Sequence, residues 1–83
     1  MTAIETLVLH TLVTFFGDAS SAHPSANFDL DEIKGCLKWR GHAIEYKDLR
    51  IALRSLAKAR LVEYHESPVE LCWVTRKGIK LFI

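Results

Sequence analysis

Residues 46–83 read YKDLRIALRSLAKARLVEYHESPVELCWVTRKGIKLFI, and this segment decides the fold. Apolar side chains recur at steps of three and four residues along its first part, which predicts an amphipathic helix over residues 45–60. Basic side chains recur at the same steps on another face of that helix: Lys47, Arg50, Arg54 and Lys58. The helix therefore needs a hydrophobic core on one side and is suited to anions on the other.

A β-hairpin is predicted after this helix. Residues 61–66 and 70–75 are two short β-prone runs separated by a Ser-Pro-Val loop. Alternation along the strands sorts their side chains into two faces. The predicted core face carries Val62, Tyr64, Cys72 and Val74, and the outer face carries Glu63, His65, Leu71 and Trp73. Thr75 is a candidate N-cap for a last short helix over residues 76–83.

The first helix is predicted over residues 2–16 and is apolar around most of its circumference. One apolar stripe consists of Ile4, Leu7, Leu12 and Phe15, and a second consists of Leu9, Val13 and Phe16. The second stripe could be covered by the protein's own domain or by another copy of the chain. We favour a second copy, because a domain of this size buries only roughly 60% of its unfolded surface and has little material to enclose a helix.

A second helix is predicted after the polar loop of residues 17–27. Asp29 is a good N-cap, and Glu32 three residues later can complete a capping box. Apolar residues then recur at helical spacing, and Gly41 is expected to end the helix. With the basic helix, the hairpin and the last short helix, these elements make one α+β domain over residues 1–83.

Composition limits the functions that this domain could have. A formal net charge of +1 does not by itself indicate nucleic-acid binding, so only clustering of the 11 basic residues could support it. Cys36 and Cys72 fall in different predicted elements, which is typical of two free thiols. The four histidines and two cysteines have no metal-binding spacing, and no glycine-rich phosphate loop is present, so we predict no metal, no cofactor and no enzymatic activity. The apolar run near the N-terminus has no basic residue before it and is too short to span a bilayer, so we expect a cytoplasmic protein.

Two segments resemble the winged helix-turn-helix transcriptional regulators, especially the small MarR-like and PadR-like domains. RIALRSLAKARLVEY, residues 50–64, is similar to the family's recognition helix running into the first strand of the wing. WVTRKGIKLF, residues 73–82, is similar to the second strand turning into the family's Thr-x-x-Gly helix. The resemblance covers the chain from about Asp29 to its end. It implies three helices, a β-hairpin wing and a short C-terminal helix.

The resemblance also implies a function, which is transcriptional regulation by a homodimer that binds double-stranded DNA with its third helix in the major groove. In that role Arg50 and Arg54 would reach guanine edges, and Tyr46, Lys47 and Lys58 would contact phosphates. The dimer or a protein partner would use five apolar residues: Leu9, Val13, Phe16, Leu71 and Trp73.

The hairpin favours an alternative function. It carries Glu63, Glu66 and Glu70 and has no basic residue between its first strand and Thr75, so it would repel a phosphate backbone. Leu71 and Trp73 on its outer face would form an apolar patch, which more often marks a protein contact. The alternative is therefore a winged-helix module that binds another protein as an adaptor or inhibitor.

Overall fold

A computed structural model describes residues 1–16 and 28–82, without the side chain of Phe16. The loop predicted over residues 17–27 lies outside these residues. The described elements follow one another in this order: α1 (Ala3–Phe16), α2 (Leu30–Trp39), α3 (Tyr46–Lys58), β1 (Val62–His65), β2 (Leu71–Val74) and α4 (Arg76–Lys80). This layout confirms the predicted α+β fold, in which three helices precede a hairpin and a short C-terminal helix. None of the described helices combines the length and the apolar character needed to cross a membrane.

The core lies between α1, α2, α3 and the inner face of the hairpin. Its completely buried members come from each of these elements and include Val8, Leu9, Leu12, Ile33, Leu37, Leu49, Leu53, Cys72 and Val74. Leu30, Ile33 and Leu37 of α2 face this core as their spacing predicted. Each buried aliphatic side chain contributes ~1.5–3 kcal/mol by leaving water, so this cluster dominates the stability of the domain.

The buried face of α1 differs from both predicted stripes. Leu9 is completely enclosed within its own chain, so its assignment to a dimer or partner interface was wrong. Val13 is half-buried and packs against the core, whereas Ile4 and Phe15 of the first stripe are 42% and 38% exposed. The side chain of Phe16 lies outside the described part of the chain. Because α1 is apolar almost all round, its sequence could not specify which face the domain would cover.

The capping residues predicted from the sequence begin and end α2. The backbone N–H of Glu32 donates to the Asp29 carboxylate over 2.8 Å, and the N–H of Asp29 donates back to Glu32, which forms the expected capping box of α2. After α2, Gly41 has a φ of 87°, and the N–H of His42 reaches back to the Leu37 carbonyl over 2.9 Å. This positive φ is the reason that a glycine stands at this helix end.

The end of α3 has the same geometry without a glycine. Arg60 has a φ of 62°, and the N–H of Leu61 donates to the Leu56 carbonyl over 3.0 Å. This left-handed residue turns the chain directly into β1. Thr75 then caps α4 by accepting the N–H of Gly78 over 3.1 Å, and its hydroxyl donates to the Arg60 carbonyl over 2.8 Å.

The two strands of the hairpin pair antiparallel, and their side chains divide between the two predicted faces. Val62 pairs with Val74, Glu63 with Trp73, Tyr64 with Cys72, and His65 with Leu71. The inner face is therefore the predicted one, and burial raises the pKa of the Cys72 thiol to about 12. On the outer face, Leu71 and Trp73 are half-buried rather than fully exposed, and the Trp73 ring stacks on His65 at 5.1 Å. The apolar patch predicted there is thus smaller than expected.

Candidate nucleic-acid interface

The side of α3 that faces away from the core carries a row of exposed side chains. Lys47, Ile51, Arg54 and Lys58 are separated by four, three and four residues, so they lie one above another on one face of the helix. We call these four residues the outward row. The side chains of Lys47 and Lys58 make no hydrogen bond or ion pair with any other described residue. Their charges are therefore available to an external anion.

Arg50 is not part of this row, because the tip of the hairpin covers it. Its guanidinium donates two parallel hydrogen bonds to the Glu70 carboxylate, Nε to Oε2 over 3.0 Å and Nη2 to Oε1 over 2.8 Å. The Tyr64 hydroxyl donates to the same carboxylate over 2.6 Å. The prediction of an exposed Arg50 that reaches a guanine edge does not fit this half-buried position. Its guanidinium group already donates two parallel hydrogen bonds to a carboxylate.

These contacts change the acidity of all three groups. The pKa of Glu70 falls to about 2, chiefly because Arg50 donates to its carboxylate and secondly because Tyr64 does. Burial, followed by the hydrogen bond to Glu70, raises the pKa of Tyr64 above its usual value. The pKa of Arg50 is also raised, mainly by its hydrogen bond to Glu70. The Arg50 and Glu70 side chains therefore both stay charged at neutral pH, and Tyr64 stays protonated.

Arg54 contacts the hairpin less firmly. Both of its donating nitrogens, Nε and Nη2, meet a single oxygen of Glu66, and the Nε contact is 3.0 Å. The two side chains are 57% and 48% exposed, compared with 39% and 28% for Arg50 and Glu70. An ion pair this exposed contributes only ~0–1 kcal/mol, so a phosphate or a base edge can compete with Glu66 for Arg54.

Tyr46 is also engaged within the protein. Its hydroxyl donates to the Asp31 carboxylate, and this hydrogen bond is the main reason that the pKa of Tyr46 is raised. The ring lies beneath the Lys34 ammonium group at 4.4 Å. The predicted phosphate contact by Tyr46 would therefore require that its bond to Asp31 break.

Carboxylates surround the N-terminal end of α3. A cavity of about 540 Å³ opens between this end, the start of α2 and the tip of the hairpin. Four acidic side chains line it, together with Tyr46 and Arg50: Asp29, Asp31, Glu66 and Glu70. A polyanion would meet repulsion at this end of the helix, so the accessible part of the basic face is the outward row.

The sequence interpretation assigned Glu66 and Glu70 to a surface that repels DNA and missed their role as partners of the arginines. A signal was available in the spacing. Arg50 and Arg54 are four residues apart, and so are Glu66 and Glu70 on the two sides of the hairpin loop. Because the chain reverses direction between α3 and the hairpin tip, Arg50 pairs with Glu70 and Arg54 pairs with Glu66.

The described residues contain no group of three or more histidine, cysteine, aspartate or glutamate side chains that could hold a metal ion. Cys36 and Cys72 are free thiols. No protein-family model matches the chain, and no curated protein or solved structure matches it either. Any function proposed for the chain therefore rests on the geometry of α3 and the hairpin.

Proposed function

We propose that this protein binds double-stranded DNA as a cytoplasmic transcriptional regulator and that the outward row of α3 lies in the major groove. The observation that supports this most directly is the alignment of Lys47, Arg54 and Lys58 on one exposed helix face, with both lysines unpaired among the described residues. The two lysines are eleven positions apart, which corresponds to about 16 Å along a helix that rises ~1.5 Å per residue. A row of this length fits a groove ~12 Å wide, with cations near its edges for the phosphates.

Within this proposal the residues of α3 have different roles. Lys47 and Lys58 contact phosphates, and Arg54 reaches a base edge after it leaves Glu66. Ile51 lies between them, and its side chain can pack against a thymine methyl group. Arg50 holds the hairpin tip on α3 through Glu70 and contacts no base.

A homodimer remains part of the proposal, with a different surface from the one predicted. Trp39 is 80% exposed and meets the Phe15 ring edge-on at 5.7 Å, where the C-terminal ends of α1 and α2 come together. Leu81 and Phe82 are further exposed apolar residues. Light scattering should return twice the 9.4 kDa chain mass, and Trp39→Ser should shift the equilibrium toward the monomer. A wild-type monomer at high micromolar concentration would contradict the dimer.

DNA binding is tested by fluorescence anisotropy with labelled duplexes at two salt concentrations. Lys47→Gln combined with Lys58→Gln should weaken binding and make it less sensitive to salt, because neither side chain can then neutralise a phosphate. Lys34→Gln combined with Lys38→Gln is the matched control, since it removes the same charge from α2. The proposal is refuted if the wild-type protein does not bind duplex DNA at low salt.

A protein-binding module is the second candidate, and a groove beside the outward row supports it. Ile51 is 53% exposed and lies with Ile4 in the lining of an apolar cavity of about 380 Å³ between α1 and α3. Ile51→Lys distinguishes the two functions. It adds a cation to the outward row and should strengthen non-specific DNA binding at low salt, whereas it should abolish the docking of an apolar protein segment.

A further inference from the structure

A group of basic residues lies in the turn after α3 and in α4, whose start contacts that turn. These four exposed residues are Arg60, Arg76, Lys77 and Lys80. We call these residues the basic end. Two contacts bring them together across the chain, because Thr75 donates to the Arg60 carbonyl over 2.8 Å and Lys77 Nζ donates to the Ala59 carbonyl over 3.2 Å. The last residue of the outward row, Lys58, directly precedes this end.

No described carboxylate forms an ion pair with the basic end. Glu63 is near in sequence, but its carboxylate lies 3.6 Å from His65 Nε2 on the outer face of the hairpin. The acidic residues around the 540 Å³ cavity lie at the opposite end of α3. The formal net charge of +1 therefore conceals two surfaces of opposite sign.

Stabilisation of α3 explains only part of this cluster. Cations near a helix C-terminus interact favourably with its carbonyl groups, and Lys77 has this role because it donates to Ala59. The side chains of Arg76 and Lys80 make no hydrogen bond or ion pair with any other described residue. They add like charge to a region that also carries Lys58, Arg60 and Lys77, and no described carboxylate is within ion-pair distance of them.

We propose that the basic end binds the phosphate backbone of the duplex whose major groove receives the outward row. This inference rests on the proposed DNA binding and adds a second contact surface to it. The hairpin carries Glu66 and Glu70 at its tip and has no lysine or arginine between Leu61 and Thr75, so it offers no such cation to a phosphate. The basic end follows Lys58 along the chain and forms no ion pair with a described carboxylate, so it can supply backbone contacts beside the outward row.

The test compares three double variants, each of which lowers the net charge by the same amount. Arg76→Gln with Lys80→Gln removes the two unpaired cations of the basic end and leaves the cap of α3 intact. Lys47→Gln with Lys58→Gln removes the ends of the outward row, and Lys34→Gln with Lys38→Gln is the control on α2. Anisotropy titrations across a salt series give the slope of log affinity against log salt for each variant.

The basic-end variant should have a slope shallower than the wild type by about 0.9 for each phosphate that is no longer neutralised, or about 2 for both. The decrease in affinity should be equal for unrelated duplex sequences, because phosphates carry no sequence information. A basic-end slope equal to that of the α2 control overturns this inference but leaves DNA binding by α3 in place. A wild-type protein that does not bind duplex DNA overturns both, and unchanged thermal unfolding of each variant shows that the fold is preserved.

Discussion

Gly78→Ala should destabilise the domain, although alanine is the better helix former. Gly78 lies in α4 against the start of β1, and a methyl group at its Cα would overlap the Leu61 carbonyl oxygen, well inside the 3.0 Å that real Cβ atoms keep. The same methyl group would also lie 3.0 Å from Cγ2 of Val74. Both neighbours are held in place, since Leu61 also accepts the N–H of Thr75 and Val74 is completely buried. Helix α4 would therefore have to move away from the hairpin.

The expected loss of stability follows from two opposing effects. Forcing an extra methyl group into a packed site costs ~1–3 kcal/mol. Replacing a helical glycine by alanine stabilises by ~0.5–1 kcal/mol, which leaves a net loss centred on about 1.25 kcal/mol. Since each kcal/mol shifts the melting temperature of a domain this small by ~4–8 °C, Gly78→Ala should melt roughly 5–10 °C below the wild type.

Gly35→Ala provides the matched control within the same protein. Gly35 lies in α2, and a Cβ there would meet nothing within 4 Å. Only the helix-propensity effect applies, so this variant should be more stable than the wild type by ~0.5–1 kcal/mol. Urea and thermal unfolding followed by circular dichroism measure both changes. If Gly78→Ala melts at or above the wild-type temperature, the close approach of α4 to Leu61 is not present in solution.

Three further predictions concern the end of α3 and the hairpin tip. Arg60→Gly should raise the free energy of unfolding by about 1 kcal/mol in a urea titration, because the left-handed φ of Arg60 strains any residue except glycine; a decrease would mean that the turn is built differently. The pKa of Glu70 is lowered to about 2, so its stabilising effect should be complete above its ordinary pKa of 4.5 and disappear as the pH falls through about 2. The difference in unfolding free energy between the wild type and Glu70→Gln should accordingly be constant near neutral pH and shrink in acid, and a constant difference down to pH 2 would contradict the ion pair. Glu66→Gln should increase DNA affinity by up to about fivefold, since it releases Arg54 from an exposed pair worth ~0–1 kcal/mol, whereas weaker binding in an anisotropy titration would show that Arg54 needs Glu66 to be positioned.

The helix caps were predicted correctly from the sequence. The capping box of Asp29 and Glu32, the turn at Gly41 and the cap that Thr75 provides for Gly78 are made by bonds to backbone groups only a few residues away, so the sequence alone can predict them. The inner face of the hairpin was predictable from the alternation of its side chains. Because successive side chains of a strand point to opposite faces, the apolar Val62, Cys72 and Val74 fall together on the buried face.

The environment of α1 depends on contacts that its own sequence does not contain. Thr11 is completely buried, which the pattern of apolar residues gave no reason to expect. Its hydroxyl donates to the Leu7 carbonyl over 2.8 Å and accepts from the Arg40 guanidinium over 2.9 Å. Arg40 also donates to Nδ1 of His10 over 3.1 Å. These partners lie about thirty residues apart in the chain, so the polar contact that selects the buried face of α1 forms only when α1 and α2 pack together.

The helix periodicity placed Arg50 on a polar face, but it could not show that the hairpin would fold back over that face. Under the proposed DNA binding, Glu66 and Glu70 would limit the direction from which the duplex can approach α3. In a helix-turn-helix protein the N-terminal residues of the recognition helix usually contact the bases. Here that end of α3 faces Asp31, Glu66 and Glu70, and its arginine is engaged by a carboxylate with two parallel hydrogen bonds.

Lys58 and the basic end follow the C-terminal half of α3 and form no ion pair with a described carboxylate. If the proposed DNA binding is correct, we expect the C-terminal half of α3 to lie closer to the phosphate backbone than the N-terminal half. Removing the charge of Lys58 should then weaken binding more than removing that of Lys47, although both are exposed lysines on the same face of the helix. Single Lys47→Gln and Lys58→Gln variants compared in the same anisotropy titration decide this, and an equal or larger decrease in affinity for Lys47→Gln would place the N-terminal half at least as close to the phosphate backbone despite its carboxylates.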